Sequence, residues 1–486
     1  MKTDRDSMPL KELNVLELFN LNDKDIKSVN IHHSYKGINL EVTLEPRPTA
    51  CPVCGTATAK VNNYVTRAIT HSVLNHVPCY IKYHARRYKC PCCNKTFYEN
   101  NPFTFKGMKV SLMTVYNVLN DLKLPNETFH SAAKRYYVSP TTVVNIFDRH
   151  VHISRKKLPE VILIDEVYGF KSDDSNYVCV LLDFKTHDII DILPSRKKAD
   201  LINYFTLIPR EERENVKTVC TDMWETYRNV SKLVFPNSCH TVDKFHLLQE
   251  YSKKMNRIRI NTMNQYKIPK NIKKEELTEE ELLKLKERNQ KYYILKKFDF
   301  LLFTGDEKLF DPNRAKKYNR VLEKYVNYYD IREEIININP ELETAVYFKD
   351  ELSSFFKQAK FNSAAKLLNT LILELNTSNI KEMQEYASTL IKWKKSIINS
   401  FKPSSNGATV TSGAIESINK TIKTIKRNSN GYTSWKRFRN RVLYVVNKDA
   451  TYHMYPKGEY DDEKNQNDRM CAHPGAGRLR PGRMQQ

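Results

Sequence analysis

The sequence contains two strand-like runs that each lead directly into a carboxylate. Val161–Ile164 precedes Asp165, and Val216–Thr221 precedes Asp222. Runs rich in β-branched and apolar residues are typical of buried strands. A carboxylate at the end of a buried strand is costly unless a charged partner or a metal ion compensates it. Either acid taken singly is most simply an ordinary strand-end residue, but two acids at matching strand ends favour a shared metal site.

The segments around these acids predict one mixed sheet. The predicted elements after the first strand are a β-hairpin, a helix, the second acid-bearing strand, a helix and a short strand: Tyr177–Phe184 with Asp188–Pro194, 198–208, Val216–Asp222, 226–234 and Ser238–Val242. The order β-β-β-α-β-α-β is that of a ribonuclease-H-like core, in which the first and fourth strands are neighbours. We therefore expect Asp165 and Asp222 to meet at one edge of the sheet.

A third acid lies on a predicted helix far along the chain. The helix starts at Ser412, and its apolar residues recur at helical spacing: Ile415, Ile418, Ile422 and Ile425. Off this stripe lie an acid, an amide and three cations: Glu416, Asn419, Lys420, Lys423 and Arg427. An acid one turn ahead of a row of cations fits a metal ligand beside phosphate-binding groups. A solvated helix face is the plainer alternative.

The segment between the predicted sheet and this helix carries no catalytic motif. Residues 251–400 are highly charged and largely helical, and we interpret them as an insertion within the catalytic domain. Ahead of them lies Asp243-Lys-Phe-His246, whose plainer interpretation is a polar strand end followed by a helix start. We treat Asp243 and His246 as a structural motif.

Four cysteines near the start of the chain are spaced as two metal-binding knuckles. Cys51 and Cys54 form the first pair, and Cys90 and Cys93 form the second after 35 intervening residues. Four thiolates at this spacing predict one tetrahedral Zn²⁺ in a zinc ribbon. Cys92 is an alternative to Cys93, which we prefer because it leaves a two-residue gap in both knuckles. A disulfide framework is the other alternative, but no secretory signal supports it.

Strand-like alternation occurs at two places near the knuckles. Gly37–Glu45 precedes the first cysteine pair, and Tyr80–Lys89 precedes the second. On the second segment we expect Arg86, Arg87 and Lys89 to face DNA or solvent.

Two short helices separated by a tight turn follow the predicted ribbon. The spacing predicts helices over Thr128–Tyr137 and Thr141–Val151, with Ser139 suited to the N-cap and Pro140 to the first helical position. This pattern is typical of a helix-turn-helix, whose second helix enters the major groove of DNA. A plain helical hairpin is the alternative. The candidate DNA-reading residues are Thr141, Thr142, Asn145 and Arg149.

The composition limits the classes of partner. The chain has 486 residues, with 79 Lys and Arg against 56 Asp and Glu, and a net charge of +23. An excess of this size indicates a polyanionic partner, and nucleic acid fits. Because no run of about 18 apolar residues occurs and Met1–Leu13 lacks an apolar signal core, we expect no membrane span and a cytoplasmic location.

In these motifs the chain resembles the bacterial insertion-sequence transposases of the ISL-three type, from about Cys51 to about Val446. The shared motifs occur in the same order: the cysteine pairs followed by Thr96-Phe97, the helix-turn-helix, Ile164-Asp165-Glu166, Thr221-Asp222-Met223-Trp224, Asp243-Lys-Phe-His246, and Ile415-Glu416-x-x-Asn419-x-x-Ile422-Lys423-x-x-Lys426-Arg427 with Gly431-Tyr432. The last block is the most specific. Ser417 stands where a glycine is frequent, and Cys471–Gln486 matches nothing in the family.

The resemblance implies a DDE triad of Asp165, Asp222 and Glu416 that holds two Mg²⁺ or Mn²⁺ ions about 3.5–4 Å apart. Such a site would cut the ends of an insertion sequence and join them to target DNA. The implied partners are the terminal inverted repeats and the target DNA, bound by a homo-oligomer, a dimer on DNA, at the bacterial nucleoid. The groups implied to bind the DNA backbone are Asn419, Lys420, Lys423 and Arg427.

Two other classes of protein are compatible with parts of this pattern. One is a catalytically inactive DNA-binding regulator built from the ribbon and the helix-turn-helix. The other is a ribonuclease-H-like nuclease or Holliday-junction enzyme. The presence of all three acids argues against the regulator, and the two DNA-reading modules ahead of the core favour a transposase over a nuclease.

The expected fold class is therefore α/β: a ribonuclease-H-like core with a mixed five-stranded sheet, interrupted by an all-α insertion and preceded by a zinc ribbon and a helix-turn-helix. The expected segments are, in order, an N-terminal segment, the ribbon, the helix-turn-helix, the first part of the core, the insertion, the second part of the core and a disordered tail: 1–48, 49–105, 106–155, 156–250, 251–400, 401–450 and 451–486.

Overall fold

The structure, a computed structural model, describes most of the chain between Phe19 and Tyr455. The described residues are 19, 21, 26–74, 77–170, 176–269, 277–403, 407 and 409–455. Most of the predicted disordered tail lies outside the described residues. Contacts divide the chain into two units, Met1–Ser154 with Lys420–Gln486, and Arg155–Asn419. The finer division into seven segments stays a prediction.

The first unit contains a five-stranded sheet and a small separate ladder. Its strands are β1 Ile26–Ser34, β2 Gly37–Leu44, β3 Thr49–Ala50, β4 Ala57–Thr58, β5 Val61–Thr70, β6 Cys79–Lys89 and β7 Thr96–Tyr98. The sheet order is β1-β2-β6-β5, with β7 also paired to β6, while β3 pairs with β4. Strands β2 and β6 are parallel, so the segment before the first knuckle shares one sheet with the ribbon strands. Both strands were predicted from alternation and are confirmed.

Arg86 does not face DNA or solvent, and that expectation was wrong. Its guanidinium pairs with Glu99 at 3.0 Å, and the two side chains are only 5% and 8% exposed. It also donates to the main-chain carbonyls of Leu44 and Glu45. The end of β2 and Glu99 thus cover this face of β6, which alternation cannot reveal. Lys89, by contrast, is exposed.

Among the described residues that precede Ser154, the first unit also contains three helices. They are α1 Leu112–Asp121, α2 Phe129–Tyr136 and α3 Pro140–His150. The Ser139 hydroxyl accepts a hydrogen bond from the Thr142 amide, and Pro140 is the first residue of α3, as predicted. Tyr137 adopts a left-handed conformation with φ of 55°, which ends α2 and turns the chain into α3.

The second unit is built on another five-stranded sheet, of order β10-β9-β8-β11-β12. These strands are β8 Val161–Tyr168, β9 Tyr177–Asp183, β10 Ile189–Leu193, β11 Thr218–Thr221 and β12 Cys239–Val242. The first and fourth strands, β8 and β11, are parallel neighbours, as the sequence predicted. Strand β8 does not end at Asp165, because its pairing with β9 continues as far as Tyr168 and Tyr177. That boundary was predicted wrongly.

Helices pack on this sheet and form its core. They are α4 Lys198–Thr206, α5 Arg210–Glu214 and α6 Glu225–Val234, of which the short α5 was not predicted. The buried cluster between sheet and helices includes Ile162, Leu181, Phe205, Val219 and Tyr227. Ile162, Leu181 and Val219 belong to the runs that predicted the strands, and Phe205 and Tyr227 to the helices that cover the sheet.

The segment expected to be an all-α insertion is mainly helical, but its described residues include a small antiparallel hairpin, so the all-α expectation was wrong. Its elements are α7 Lys244–Gln265, α8 Glu279–Lys297, α9 Phe300–Phe303, β13 Lys317–Asn319, β14 Lys324–Val326, α10 Tyr328–Ile336, α11 Pro340–Gln358, α12 Phe361–Thr377 and α13 Lys381–Asn399. The helices share one large core. Among the helices of the described residues, none combines the length and the apolar composition that a membrane crossing requires.

The last insertion helix returns to the edge of the sheet. The Ser396 hydroxyl lies 3.0 Å from His240 Nδ1, and the Asn399 amide donates to the His240 carbonyl at 3.0 Å. Trp393, on the same helix, is buried beside the His240 ring. Because α13 packs along β12, both ends of the insertion are tied to one strand.

Two helices follow the insertion, α14 Gly413–Asn428 and α15 Trp435–Val446. The predicted apolar stripe of α14 is buried: Ile415, Ile418, Ile422 and Ile425. The cations of α15 are used within the first unit. Arg437 forms an ion pair with Asp148 at 2.6 Å, and the buried Arg441 donates to the carbonyls of Leu124 and Glu127. Helix α15 therefore stabilises the α1–α3 group. Its basic, aromatic sequence did not indicate this role.

Removing Glu99 should destabilise the sheet of the first unit, because Arg86 would remain buried without its counter-charge. For Glu99→Ala we expect a loss of roughly 3 kcal/mol. Hydrogen–deuterium exchange of the β6 amides measures this loss locally. The control is Glu41→Ala, since its pair with His32 is exposed and should contribute less than about 1 kcal/mol. Equal losses in the two variants would contradict the assignment.

Candidate active site

Parallel pairing of β8 with β11 brings two aspartates side by side. Ile164 and Thr221 are register partners, and Asp165 and Asp222 are the next residues of the two chains. One carboxylate oxygen of Asp165 accepts the Glu166 amide at 2.8 Å, and one of Asp222 accepts the Trp224 amide at 3.2 Å. Asp165 and Asp222 therefore lie side by side in the structure, as predicted.

Helix α14 brings the third predicted acid to this pair. The Asn419 side-chain amide donates to Asp165 Oδ2 at 2.8 Å. Glu416 lies three residues earlier, on the same face of the helix as Asn419. Its charge contributes to raising the pKa of Asp165, so the two carboxylates interact. The chain leaves the sheet after β12, passes through the insertion and returns to the aspartates, as a single site requires.

A second contact fixes the start of α14. Asp243 follows β12 directly, and its carboxylate accepts a hydrogen bond from the Ser412 hydroxyl. The Asp243 amide donates to the Thr221 carbonyl at 3.1 Å, so this acid is tied to the sheet. The Glu416 amide donates to the Ser412 carbonyl at 3.1 Å in the first turn of the helix. Sequence analysis missed this role of Ser412, because a serine at a predicted helix start suggests only an N-cap.

Burial and mutual repulsion raise the pKa of both aspartates. The pKa of Asp165 rises to about 6, mainly because of burial and further because of Glu166 and Glu416. The pKa of Asp222 also rises to about 6, mainly because of burial and further because of Glu166 and Asp165. His246, in the first turn of α7, acts in the opposite direction on both. The site therefore carries surplus negative charge that a cation would relieve.

Glu166 belongs to the other face of β8. Its carboxylate pairs with Arg196 and accepts the Tyr227 hydroxyl at 3.0 Å. The Arg196 guanidinium in turn lies over the rings of Tyr177 and Trp224. Strand alternation places Glu166 opposite Asp165. Glu166 is thus held by protein partners rather than turned towards α14.

The donor set at the aspartates fits a hard divalent cation. Carboxylate oxygens are the ligands that Mg²⁺ and Mn²⁺ prefer. The buried Asn419 Oδ1 has no hydrogen-bond partner among the described residues, which leaves a polar oxygen beside the Asp165 carboxylate. The three carboxylates are not gathered as tightly as the cysteines described below, whose four sulfurs converge within 4.8 Å. The fit of this site to a divalent cation consequently rests on the chemistry and charge of the donor atoms.

The four residues predicted to bind the DNA backbone differ in their exposure to solvent. Lys420, Lys423 and Arg427 are exposed on successive turns of α14. Asn419 is 7% exposed and bonded to Asp165. Asn419 therefore contacts a candidate site acid, next to the apolar stripe and not in the cationic row, and its contact with DNA stays a prediction.

The predicted reading residues of α3 are unequally available. Thr141 and Asn145 are exposed. Thr142 is half-buried, and its hydroxyl lies 2.8 Å from the Ser139 hydroxyl at the N-cap. Arg149 is half-buried and stacks over the Phe105 ring at 5.7 Å. Thr141 and Asn145 are therefore the side chains of this set that are free to reach a ligand.

The four predicted knuckle cysteines converge on one point. The sulfurs of Cys51 and Cys93 are 3.6 Å apart, those of Cys54 and Cys90 are 3.5 Å apart, and all four lie within 4.8 Å of one another. Tetrahedral zinc with Zn–S bonds of about 2.3 Å needs sulfurs about 3.8 Å apart, so the geometry fits Zn²⁺. Cys92 is exposed and lies outside this group.

The two knuckles share the same backbone turn. The Gly55 amide donates to the Cys51 carbonyl at 2.8 Å, and the Asn94 amide donates to the Cys90 carbonyl at 3.1 Å. Gly55 and Asn94 both have positive φ, 73° and 56°. Gly and Asn are residues that tolerate this conformation. The turn in each knuckle lets two cysteines point at one centre.

Comparison with known proteins gives three findings. Residues 162–442 match the ISL3 model of the DDE transposases, described as a transposase. Residues 47–93 match the zinc finger of the IS204/IS1001/IS1096/IS1165 transposases. The transposase for insertion sequence element IS1001 of Bordetella parapertussis is 21% identical over 416 residues, which cover 83% of this chain and 90% of that protein.

The class of protein follows from these matches: the chain is a transposase with a zinc-ribbon region. Since the first match spans more than half of the chain, the protein belongs to the ISL3 family of DDE transposases.

Zinc binding should depend on Cys93 and not on its neighbour. Metal analysis of the purified full-length protein should find about one zinc per chain. Cys93→Ser removes a ligand and should abolish stoichiometric zinc, whereas the matched control Cys92→Ser should retain it. Zinc loss in the Cys92 variant and retention in the Cys93 variant would reverse the ligand assignment.

Proposed function

We propose that the protein binds the ends of an insertion sequence and catalyses metal-dependent DNA cleavage and strand transfer, with Asp165, Asp222 and Glu416 as its catalytic carboxylates. The observation that carries this proposal is the hydrogen bond from Asn419 to Asp165. It attaches the helix that bears Glu416 to the strand that bears Asp165, and the neighbouring strand supplies Asp222. Family membership supports the same three roles, because the matched region contains all three acids.

In this proposal the second unit contains a ribonuclease-H-like core. Its strand order, with an antiparallel β8–β9–β10 side and a parallel β8–β11–β12 side, is the order expected of that core. The helices α7–α13 are then an insertion between β12 and the Glu416 helix. Asp243 has a positioning role, because it links the end of β12 to Ser412 at the start of that helix.

Each of these residues would have a separate role in the reaction. Asp165, Asp222 and Glu416 would hold Mg²⁺ or Mn²⁺, which, when bound, stabilises charge on the scissile phosphate and activates the attacking oxygen. Asn419 holds one oxygen of Asp165 and so fixes the direction in which that carboxylate presents its other oxygen. Glu166 is engaged by Arg196 and Tyr227, so we do not assign it a place among the metal ligands.

Two phosphoryl transfers follow at this one site. In the first, water attacks the phosphodiester at the element's end, a new P–O bond forms, and the bond to the 3′ oxygen breaks to leave a 3′-hydroxyl. In the second, that hydroxyl attacks a target phosphodiester and releases a target 3′-hydroxyl. Lys420, Lys423 and Arg427 would neutralise DNA phosphates, a contribution that weakens with added salt.

The recognition of DNA ends is assigned to the first unit. The α2–α3 pair would act as a helix-turn-helix, with Thr141 and Asn145 reading base edges in the major groove. The zinc ribbon would add backbone contacts through exposed cations such as Lys89. Because an insertion sequence has two ends, we further propose that the protein acts as a homo-oligomer, a dimer on DNA. We also propose that it acts at the nucleoid. A catalytically inactive regulator and a simple nuclease are less favoured, because the chain belongs to a transposase family.

Replacing any one of Asp165, Asp222 and Glu416 by Ala should reduce both cleavage and strand transfer below detection, because both steps share the same ligands. A labelled terminal duplex incubated with plasmid and Mg²⁺ or Mn²⁺ measures both products. DNA binding should survive in all three variants, since recognition is assigned elsewhere. Asp183→Asn is the matched control: this acid caps the turn after β9 and should leave both steps unchanged. Normal joining by Glu416→Ala would refute the third ligand.

Asn145→Ala should relax sequence discrimination rather than weaken all DNA binding. Its loss should narrow the preference for a terminal-repeat duplex over random DNA by about tenfold, since a good base contact contributes about 1–3 kcal/mol of discrimination. Competition binding with the full-length protein measures the ratio. Lys134→Ala, at an exposed cation of α2, is the control and should affect both duplexes equally. An unchanged ratio in the Asn145 variant would exclude it as a base reader.

A further inference from the structure

The small hairpin of the insertion presents two tyrosines to solvent. Strands β13 and β14 are antiparallel, and Tyr318 and Tyr325 are direct register partners. Their rings are in contact, with centroids 5.3 Å apart, and the residues are 54% and 68% exposed. Neither tyrosine contributes to the core of the insertion. A role in binding therefore explains this exposed aromatic pair better than a role in packing.

The hairpin is held rigidly from behind. Leu322, in its turn, and Val326, at its end, are buried in the core of the insertion. The Gln290 side chain of α8 donates to the Val321 carbonyl at 3.0 Å. Asn327 donates to the carbonyls of the preceding segment, at Pro312 and Arg314. The exposed tyrosines therefore sit on a fixed support, which lowers the entropy cost of binding a ligand.

Several cations close to the tyrosines in sequence have no ion-pair partner among the described residues. Three acids near the hairpin each have a lysine partner: Glu323 with Lys286, Asp330 with Lys316, and Glu334 with Lys324. Three cations remain for which the described residues offer no ion-pair partner: Arg314, Lys317 and Arg320. Two of these cations, Arg314 and Lys317, line the cavity described next together with Tyr318, and cations beside an aromatic ring suit a phosphate backbone with unstacked bases.

A cavity opens at the base of the same hairpin. Its volume is about 290 Å³, and its lining includes Phe298, Arg314, Lys317, Tyr318 and Tyr328. Aromatic walls with cations at the edge are suited to a planar ring that carries a phosphate. Paired duplex DNA keeps its bases inside the stack, so a flat ring can enter only from an unpaired nucleotide.

We propose that the β13–β14 hairpin binds an unpaired nucleotide of the DNA substrate. The base stacks on the Tyr318–Tyr325 pair or enters the adjoining cavity, and Lys317 and Arg320 hold the neighbouring phosphates. The inference rests on the proposed function, because a cut at an element's end leaves a free 3′ end whose terminal nucleotide can unpair and reach this hairpin. It assigns a role in substrate binding to a part of the insertion that carries none of the proposed catalytic residues.

The test compares two DNA probes on the full-length protein. One is a blunt duplex, and the other is the same duplex with a short single-stranded overhang that contains 2-aminopurine, whose fluorescence reports stacking. The wild type should bind the overhang probe more tightly than the blunt probe and should change the 2-aminopurine signal. Combined Tyr318→Ala and Tyr325→Ala should lower affinity for the overhang probe by about tenfold and remove the signal change, with blunt-duplex affinity unchanged.

Two further variants separate stacking from other effects. Tyr318→Trp should retain overhang binding, because a larger ring still stacks. Tyr347→Ala is the matched control: Tyr347 is 53% exposed on α11, but Glu351 and Glu374 surround it with negative charge and raise its pKa. This variant should bind both probes as the wild type does.

The outcomes distinguish this inference from the proposed function. If the tyrosine variants bind the overhang probe normally while the protein still cuts and joins ends, the inference is overturned and the function stands. Equal losses on both probes would also overturn it, since the hairpin would then contact duplex DNA in general. If the wild type binds neither probe and joins no ends, both fail. Selective loss of overhang binding supports the inference even if the triad variants show that catalysis lies elsewhere.

Discussion

Carboxylates that repel one another are held together by the pairing of two parallel strands. The register of β8 with β11 leaves no freedom to separate Asp165 from Asp222, and burial, with repulsion from neighbouring carboxylates, raises the pKa of each to about 6. The protein compensates only part of this charge, through two main-chain amides and the Asn419 side chain. The remaining negative charge makes the site suited to a divalent cation. The other features of the second unit maintain this arrangement of the carboxylates.

The long helical segment between β12 and α14, which we interpret as an insertion, is compatible with this constraint because both of its ends lie at one strand. Helix α7 leaves directly after β12, and α13 comes back along it through Ser396 and Asn399. The hydrogen bond between Ser412 and Asp243 then sets where α14 begins. A segment of well over a hundred residues can therefore separate two site acids from the third without moving it. The insertion is free to carry surfaces of its own, such as the β13–β14 hairpin.

Sequence patterns predicted the parts of the fold that depend on local or repeating signals. Apolar runs located the sheet strands, helical spacing located the buried stripe of α14, and cysteine spacing located the knuckles. They failed where tertiary partners decide the outcome. Arg86 is buried because Glu99 and the end of β2 contact it, and Arg437 and Arg441 of α15 bind Asp148 and carbonyls of the α1–α2 connection. No pattern on one strand or helix contains that information.

The candidate site was predictable to a similar degree. The acids were visible as strand ends and as a polar position beside an apolar stripe, but β8 continues past Asp165 because its pairing with β9 does so. Asn419 looked like another member of the cationic row, since its neighbours on the helix are lysines. Only the tertiary contact with Asp165 shows that it belongs to the acids. Ser412 gave no signal beyond that of a helix start.

The central claim is that Asp165, Asp222 and Glu416 share bound metal. A crystal structure of the protein soaked with Mn²⁺ tests it most directly, because anomalous scattering locates the ion independently of any assumption about ligands. The account predicts manganese peaks within coordination distance of Asp165 and Asp222, with Glu416 reaching at least one ion. Manganese bound elsewhere, or a fully occupied site that engages Asp165 and Asp222 while Glu416 stays turned away, would contradict it.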